Sequence, residues 1–245
     1  MFYGLDDEES RAKLVSALRA LNELYPQMIA KDMLIALERN AGFLRDAQFM
    51  AAFGAEAADE KERSLAWRLH VLCWCARNAL RLSGDFVECG VLRAFSSAVA
   101  MRYLDFARER RAWYLYDTFS GVPEDQLEPG QSNPYPAGEV DLYEVAKRRV
   151  AAFPNARVIR GRVPEVFAET APESIAFLHL DMNSAAAEIG ALNALVGKLV
   201  AGAYVLLDDY GWYAYRAQKQ AEDAFFDALG YKVLELPTGQ GLVVI

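Results

Sequence analysis

After Gly84, short apolar runs alternate with amphipathic segments, and this alternation constrains the fold more than any other feature of the sequence. Most of the runs are separated by segments whose apolar residues recur at helical spacing. Strands that alternate with helices predict an α/β fold, in which helices cover both faces of a mostly parallel sheet. In chain order the runs are DFVEC, AWYLYD, ARVIRG, SIAFLHLD and AYVLLDD, and Gly202 is expected in the loop before the last of them.

Two further apolar runs, YKVLEL and GLVVI, close the sequence and are separated only by PTGQ. So short a link cannot hold a crossover helix, so these runs should pair as an antiparallel hairpin. A parallel sheet that ends in an antiparallel strand is typical of the methyltransferase variant of the α/β fold.

The sequence before Gly84 has a helical pattern. The segment EESRAKLVSALRALNELY has apolar residues at helical spacing, and MIAKDMLIALERNAG predicts a second helix that ends at Gly42. We expect no strand in this part. Residues 1–82 are therefore predicted to form a helical lid or dimerisation region, unless they belong to the same domain as residues 83–245, and a homo-oligomer is expected on that basis.

Charge and cysteine content exclude several classes of function. The chain has 34 acidic and 26 basic residues and a net charge of −8, which argues against nucleic acid as the main partner. Cys73, Cys75 and Cys89 match neither a disulfide framework nor a zinc site, so we expect them in the core. The acidic first residues do not resemble a signal peptide, and no apolar run approaches the roughly 20 residues that span a bilayer. A cytoplasmic protein with no membrane span is expected.

Acidic residues follow four of the strand-like runs at the point where each run ends. Because ligands of open parallel sheets bind at the carboxyl ends of the strands, we expect these side chains to converge. Any one of them alone could be a helix cap or a solvated turn residue. The residues are Glu88, Asp117, Asp181 and the adjacent pair Asp208 and Asp209.

The segment ECGVLRAFSS, which follows the first strand, argues against a dinucleotide cofactor. It has only Gly90 where the G-x-G-x-x-G pattern of NAD and FAD sites needs three glycines. S-adenosylmethionine, which has a nucleoside end and an amino acid end, tolerates such a loop better. Asp117 could then accept hydrogen bonds from both ribose hydroxyls, and Glu88 could hold the ammonium group.

Asp181, Asp208 and Asp209 together predict an oxygen-rich site for a hard divalent cation such as Mg²⁺. Such a cation would explain two adjacent acids at the end of a buried strand; an exposed turn is the alternative. His179 shares a strand face with Asp181, so it either orients a catalytic base or substrate, or is a hydrogen-bonded core residue.

Aromatic residues and a long loop complete the candidate site. Trp212, Tyr213 and Tyr215 could stack on a sugar ring or simply cover the rim of the sheet. Residues 120–140, rich in proline, glycine and acid, predict a mobile loop over the site, with Tyr135 in a candidate lid.

Six motifs of the sequence belong together by their order and spacing: GDFVECGV, YLYDTFSGVPE, VIRGRVPEVF, IAFLHLDMN, LVAGAYVLLDDYGW and LPTGQGLVVI. In this order and spacing they resemble the macrocin O-methyltransferase family, whose members use S-adenosylmethionine. The resemblance covers roughly Ser83 to Ile245, and Met182 and Asn183 depart from it, since many relatives have Gly-Asp there.

The resemblance implies a class I methyltransferase (Rossmann-like) fold and a role for each matching residue. Asp181 would be the base for a sugar hydroxyl, with His179 beside it as the second catalytic candidate. Asp181, Asp208 and Asp209 would be the Mg²⁺ ligands. The candidates for S-adenosylmethionine binding are Glu88 and Gly90 at the methionine end, Asp117, Thr118 and Phe119 at the ribose, Gly161 and Arg162 near the adenine, and Asp181.

The expected function is therefore Mg²⁺-assisted O-methylation of a sugar or glycosylated metabolite. A catechol acceptor is the first alternative, because two vicinal oxygens would chelate the metal equally well. An inactive methyltransferase-like binding module is the second, and an NAD-linked oxidoreductase is a weaker third.

Overall fold

The computed structural model describes residues 5, 7–128, 130–133, 138 and 140–245. Within them, seven strands form one sheet: β3 (Asp85–Cys89), β4 (Trp113–Asp117), β5 (Ala156–Arg160), β6 (Ile175–Leu180), β7 (Leu199–Leu207), β8 (Leu234–Glu235) and β9 (Gly241–Val244). Their order in the sheet is β5-β4-β3-β6-β7-β9-β8. Strands β3 to β7 are parallel, whereas β9 is antiparallel to both β7 and β8.

This sheet confirms the predicted α/β fold and the antiparallel C-terminal hairpin. The chain leaves β3 toward one edge through β4 and β5, and then returns to the other side of β3 through β6 and β7. The strand order reverses at β3, which is where ligands of such sheets bind. Every residue of β6 is buried, as expected for a strand covered on both faces.

Helices cover the sheet and precede it. The described residues contain α1 (Glu8–Leu24), α2 (Ala47–Glu56), α3 (Glu60–Ser64), α4 (Ala66–Ala79), α5 (Phe95–Leu104), α6 (Leu142–Arg149), α7 (Phe167–Thr170), α8 (Ala185–Leu195) and α9 (Arg216–Ala228). Among them, no helix combines the length and the apolarity that crossing a membrane requires.

The N-terminal part contains a β-hairpin where a helix was expected. Strands β1 (Ile29–Lys31) and β2 (Leu34–Ala36) pair antiparallel around Asp32 and Met33, both with positive φ. A two-residue turn of this kind matches the twist of the flanking strands. The predictions of a helix ending at Gly42 and of no strand before Gly84 are therefore wrong, because so short an apolar run fits either periodicity.

Residues on both sides of position 82 share one hydrophobic cluster. Phe49 of α2 and Leu72 of α4 belong to the same buried cluster as Trp113 and Phe177 of the sheet. By contrast, α1 has no buried residue. The α2–α4 region thus packs as part of the sheet's core, so its position is fixed relative to the strand ends.

Three smaller expectations have clear outcomes. Gly202 lies inside β7 with φ +83°, not in the loop before it, beside a register shift between β6 and β7. Cys73, Cys75 and Cys89 are buried free cysteines, as expected. Tyr135, the residue of the candidate lid, lies outside the described residues.

Candidate active site

The acidic strand ends face one cavity of about 920 Å³. The carboxyl ends of the adjacent strands β4, β3, β6 and β7 form its floor, which is why residues far apart in sequence meet there. The predicted residues that line it are Glu88, Gly90, Asp117, Thr118, Gly161, Asp181, Asp208 and Asp209.

The carboxylate of Asp117 organises the loop that follows the neighbouring strand. One of its oxygens accepts hydrogen bonds from the backbone N–H groups of Val91 and Leu92 at 2.7 and 2.8 Å. The other accepts from the N–H of Phe119 at 2.6 Å. A carboxylate offers about four acceptor positions, so it keeps capacity for a ligand hydroxyl on the cavity side.

Gly90 lets the end of β3 approach the end of β6 closely. Its φ is +89°, and a Cβ atom placed on it would lie 1.9 Å from the carbonyl oxygen of Asp181. Any side chain there would collide with backbone, so glycine is required by space as well as by conformation.

His179 lies behind the cavity floor between two buried acids. Its Nδ1 is 3.4 Å from Glu88 Oε1, and its Nε2 is 3.4 Å from Asp208 Oδ1. Burial disfavours the imidazolium, but Asp208 and Glu88 outweigh it and hold the pKa of His179 well above its ordinary value. The imidazole therefore bridges the ends of β3 and β7, and does not line the cavity.

The adjacent pair Asp208 and Asp209 meets a cation from another part of the chain. Nη1 of Arg68, on α4, contacts Asp208 Oδ2 and lies 3.5 Å from Asp209 Oδ1. Nε of the same guanidinium is 3.2 Å from Asp32 Oδ2 in the β1–β2 turn, and its Cζ lies 5.1 Å from the centre of the Trp212 ring. Arginine thus neutralises the pair of acids, a role the sequence interpretation gave to a metal ion.

The two aspartates consequently differ in acidity. Burial opposes ionisation of Asp208, but Arg68 and His179 outweigh it and hold its pKa below the ordinary value. Burial raises the pKa of Asp209 to about 6 despite Arg68. Burial, together with Asp208 and Asp209, also holds the pKa of Asp181 well above its usual range.

Three of these side chains have the donor set of a divalent-cation site. His179, Asp181 and Asp208 each offer one ligand atom, and these atoms lie within 4.8 Å of one another. The carboxylate oxygens suit a hard divalent ion, whereas the imidazole of His179 lies between Glu88 and Asp208 and does not line the cavity. Asp209, the third predicted ligand, is outside this set but lines the cavity together with Asp181 and Asp208.

Two predicted cofactor residues have side chains directed elsewhere. The Phe119 ring packs against Tyr143, and neither it nor Arg162 lines the cavity. The Arg162 guanidinium pairs with Asp125 and Glu165 at 2.7 and 3.2 Å. Phe119 nevertheless takes part through its backbone N–H, which binds Asp117.

Sequence reasoning missed Arg68 and Gln240. Gln240 Nε2 donates to Asp208 Oδ1 at 2.8 Å, and Gln240 Oε1 accepts from Thr238 Oγ1 at 2.9 Å. The sequence does contain an indication for Arg68: it lies three residues after Leu65 and four before Leu72, and so on the apolar face of a helix. An arginine at such a position needs a buried acidic partner.

The chain matches a family model described as macrocin-O-methyltransferase (TylF) over residues 66–230. No curated protein matches it. The sequence motifs and the family model thus point to the same group of enzymes.

Several solved structures share the fold. The O-methyltransferase NovP is 20% identical, with a TM-score of 0.60 over 72% of this chain and 78% of that one. The calicheamicin methyltransferase CalS11 is 16% identical, with a TM-score of 0.62 over 100% of this chain and 98% of that one. A putative caffeoyl-CoA O-methyltransferase from Staphylococcus aureus is 12% identical, with a TM-score of 0.53 over 94% and 97%.

Proposed function

This chain belongs to the macrocin O-methyltransferase family of S-adenosylmethionine-dependent enzymes, and from that membership we propose that it methylates a hydroxyl of a sugar or glycosylated metabolite. The observation that carries the proposal is that Glu88, Asp117, Asp181 and Asp208 all line the same cavity. Its volume of about 920 Å³ accommodates a cofactor together with an acceptor.

Asp117 and Glu88 are the proposed anchors for the two ends of S-adenosylmethionine. Asp117 is already fixed by three backbone N–H groups, so its remaining acceptor position is held in place for a ribose hydroxyl. Glu88, whose carboxylate contacts the Ser97 hydroxyl and His179, would hold the ammonium group. Gly90 lines the same cavity and would contact the methionine part. Thr118 and Gly161 are the remaining proposed cofactor contacts on the cavity wall.

Asp181 is the proposed general base. Burial, together with Asp208 and Asp209, raises its pKa, and a more basic carboxylate is a more effective proton acceptor. The acceptor oxygen would form a bond to the methyl carbon while the carbon–sulfur bond breaks. The electron pair of that bond stays on sulfur, and the hydroxyl proton passes to Asp181. Asn183 Nδ2, 3.4 Å from Asp181 Oδ1, would help to orient the carboxylate.

A divalent cation, Mg²⁺ in this proposal, would be held by the carboxylates of Asp181, Asp208 and Asp209, which line the cavity. When bound, such an ion lowers the pKa of a coordinated hydroxyl and gathers two acceptor oxygens. Gln240 holds Asp208 Oδ1 and Arg68 holds Asp208 Oδ2, so the carboxylate is oriented before any ligand arrives.

Aromatic side chains support a sugar acceptor. Trp212 and Tyr215 line the same cavity beside Asp32 and Lys61. Aromatic faces and scattered polar groups suit the C–H and O–H surfaces of a pyranose ring. One structural neighbour has a related description: CalS11 is described as TDP-rhamnose 3'-O-methyltransferase.

A methyl-transfer assay tests the proposal. Purified chain is incubated with labelled S-adenosylmethionine and a panel of glycosides and catechols, with MgCl₂ or with EDTA. We expect label on a glycoside hydroxyl, faster with MgCl₂. Label on catechols alone would contradict the sugar acceptor, and equal rates in EDTA would contradict the role of the cation. Calorimetry that detects no S-adenosylmethionine binding would instead support a binding module without activity.

A further inference from the structure

Arg68 occupies an unusual position for a charged residue. It comes from α4, outside the sheet, yet only 8% of it is exposed, and its guanidinium forms part of the cavity wall beside the strand-end aspartates. Burying an arginine without partners would cost much of the free energy of folding. Here carboxylate oxygens of Asp208, Asp209 and Asp32 all lie within 3.5 Å of guanidinium nitrogens.

Asp208 is shared between this arginine and the candidate cation site. Its Oδ2 faces Arg68, whereas its Oδ1 faces His179 and Gln240. Asp208 is also one of the three donors that lie within 4.8 Å of one another. A divalent ion held there would therefore bind a carboxylate whose charge the guanidinium already compensates.

We propose that Arg68 is a built-in counter-cation of Asp208 and Asp209 that competes with a divalent cation and so sets a low affinity of the site for that ion. The inference rests on the proposed cation site and adds the residue that regulates it. Two positive charges that share one carboxylate repel each other, and the repulsion is strong where water is scarce. Removing the guanidinium would remove this repulsion and free carboxylate oxygens of both aspartates.

A purely structural role makes a different prediction. Arg68 also links the β1–β2 turn through Asp32 and lies over the Trp212 ring, so it helps to hold the N-terminal part against the sheet. If that were its only role, its loss would lower stability equally with and without metal ions, and cation affinity would not change.

Direct Mn²⁺ binding separates the two roles. Binding is measured by electron paramagnetic resonance of free Mn²⁺ in the wild type, Arg68→Met and Arg68→Lys. We expect Arg68→Met to bind Mn²⁺ at least tenfold more tightly, and Arg68→Lys, which keeps the charge, to stay near the wild type. Arg149→Met is the matched control, because Arg149 is a similarly buried arginine paired with Glu56 and Glu62, away from the strand-end aspartates.

A second measurement covers the case in which Arg68→Met folds poorly. The midpoints of thermal unfolding of the wild type and Arg68→Met are compared with and without 10 mM MgCl₂. This concentration is chosen to be roughly tenfold above a Kd of about 1 mM. We expect the ion to raise the midpoint of the variant more than that of the wild type. Equal Mn²⁺ affinities, or an equal Mg²⁺ effect on both midpoints, would overturn the inference.

Neither measurement depends on methyl transfer. A chain that binds Mn²⁺ as described and methylates no acceptor would contradict the proposed function and leave the role of Arg68 intact. If the chain methylates glycosides but Arg68→Met leaves the Mn²⁺ affinity unchanged, the proposed function stands and the role of Arg68 is contradicted.

Discussion

Gln240 donates a hydrogen bond from Nε2 to Asp208 Oδ1 at 2.8 Å, so the turn between the last two strands supports the carboxylate at the end of β7. Both residues are buried, at 0% and 6% exposure. The C-terminal hairpin therefore does more than complete the sheet, since it supplies the amide that orients one of the candidate cation ligands.

Substituting Gln240 by alanine should reduce turnover more than cofactor binding. The substitution removes a hydrogen bond to a charged group, worth about 1.5–3 kcal/mol, and lets the Asp208 carboxylate rotate. We expect kcat to fall about tenfold or more, with the Kd for S-adenosylmethionine within threefold of the wild type. Gln220→Ala, at an exposed position on α9, is the control and should change neither.

Replacing Asp181 by asparagine should abolish turnover and leave the cofactor in place. The substitution keeps the shape of the side chain and removes the proposed proton acceptor, a change that typically costs about 10²–10⁴ in rate. The measurements are S-adenosylhomocysteine release for kcat and calorimetry for cofactor affinity. Full activity in Asp181→Asn would show that another group takes the proton.

The Asp117→Ala variant should show the opposite pattern. It removes the acceptor of the Val91, Leu92 and Phe119 N–H groups and of the proposed ribose contact, so the loop after β3 loses its anchor. We expect S-adenosylmethionine affinity to weaken at least tenfold, measured by calorimetry. Asp125→Ala, which removes an exposed partner of Arg162, should bind the cofactor normally.

The Gly90→Ala variant should be strongly destabilised. Its Cβ would lie 1.9 Å from the Asp181 carbonyl oxygen at a backbone φ of +89°, so β3 and β6 would have to move apart. We expect a loss of about 3 kcal/mol or more in the free energy of unfolding, measured by urea titration. Gly54→Ala is the matched control: a Cβ there meets nothing within 4 Å, and alanine favours helix α2 by about 1 kcal/mol.

Stability should fall as pH rises toward 8, partly because of Glu188 and Glu222. Both carboxyls are fully buried between α8 and α9, and burial raises the pKa of Glu188 well above its ordinary value and that of Glu222 to about 7. The native state therefore binds more protons than the unfolded chain, whose glutamates ionise near pH 4.3. The contribution of these bound protons to the free energy of unfolding is fully present below about pH 4.3, and it is lost as the pH rises through about 7.

The free energy of unfolding falls by at most about 1.4 kcal/mol per pH unit for each proton that the native state holds and the unfolded chain does not. The Glu222→Gln variant, which cannot ionise at this position, should lose stability less steeply between pH 5 and 8 than the wild type, as measured by urea titration at each pH. Glu169→Gln, on an exposed part of α7, should keep the wild-type slope. A wild-type slope in Glu222→Gln would refute the role of the pair.

The sequence by itself determined the order of strands and helices along the chain and the acids that end the strands. Apolar runs and helical segments alternate in a local pattern, and the side-chain period within each run is a property of adjacent residues. Because parallel strands present their carboxyl ends at one edge, Glu88, Asp117, Asp181 and Asp208 could be placed on one side of the sheet without coordinates. The short PTGQ link likewise fixed the antiparallel hairpin.

Only the tertiary structure decided what these acids contact. Arg68 is 140 residues away from Asp208 in sequence, and Asp32 is 36 away from Arg68, so no local pattern could pair them. The β1–β2 hairpin shows the same limit: its apolar residues fit a helix or a strand, and the turn at Asp32 and Met33 is held partly by the contact with Arg68. Local periodicity specifies elements, whereas the neutralisation of a buried charge depends on which elements pack together.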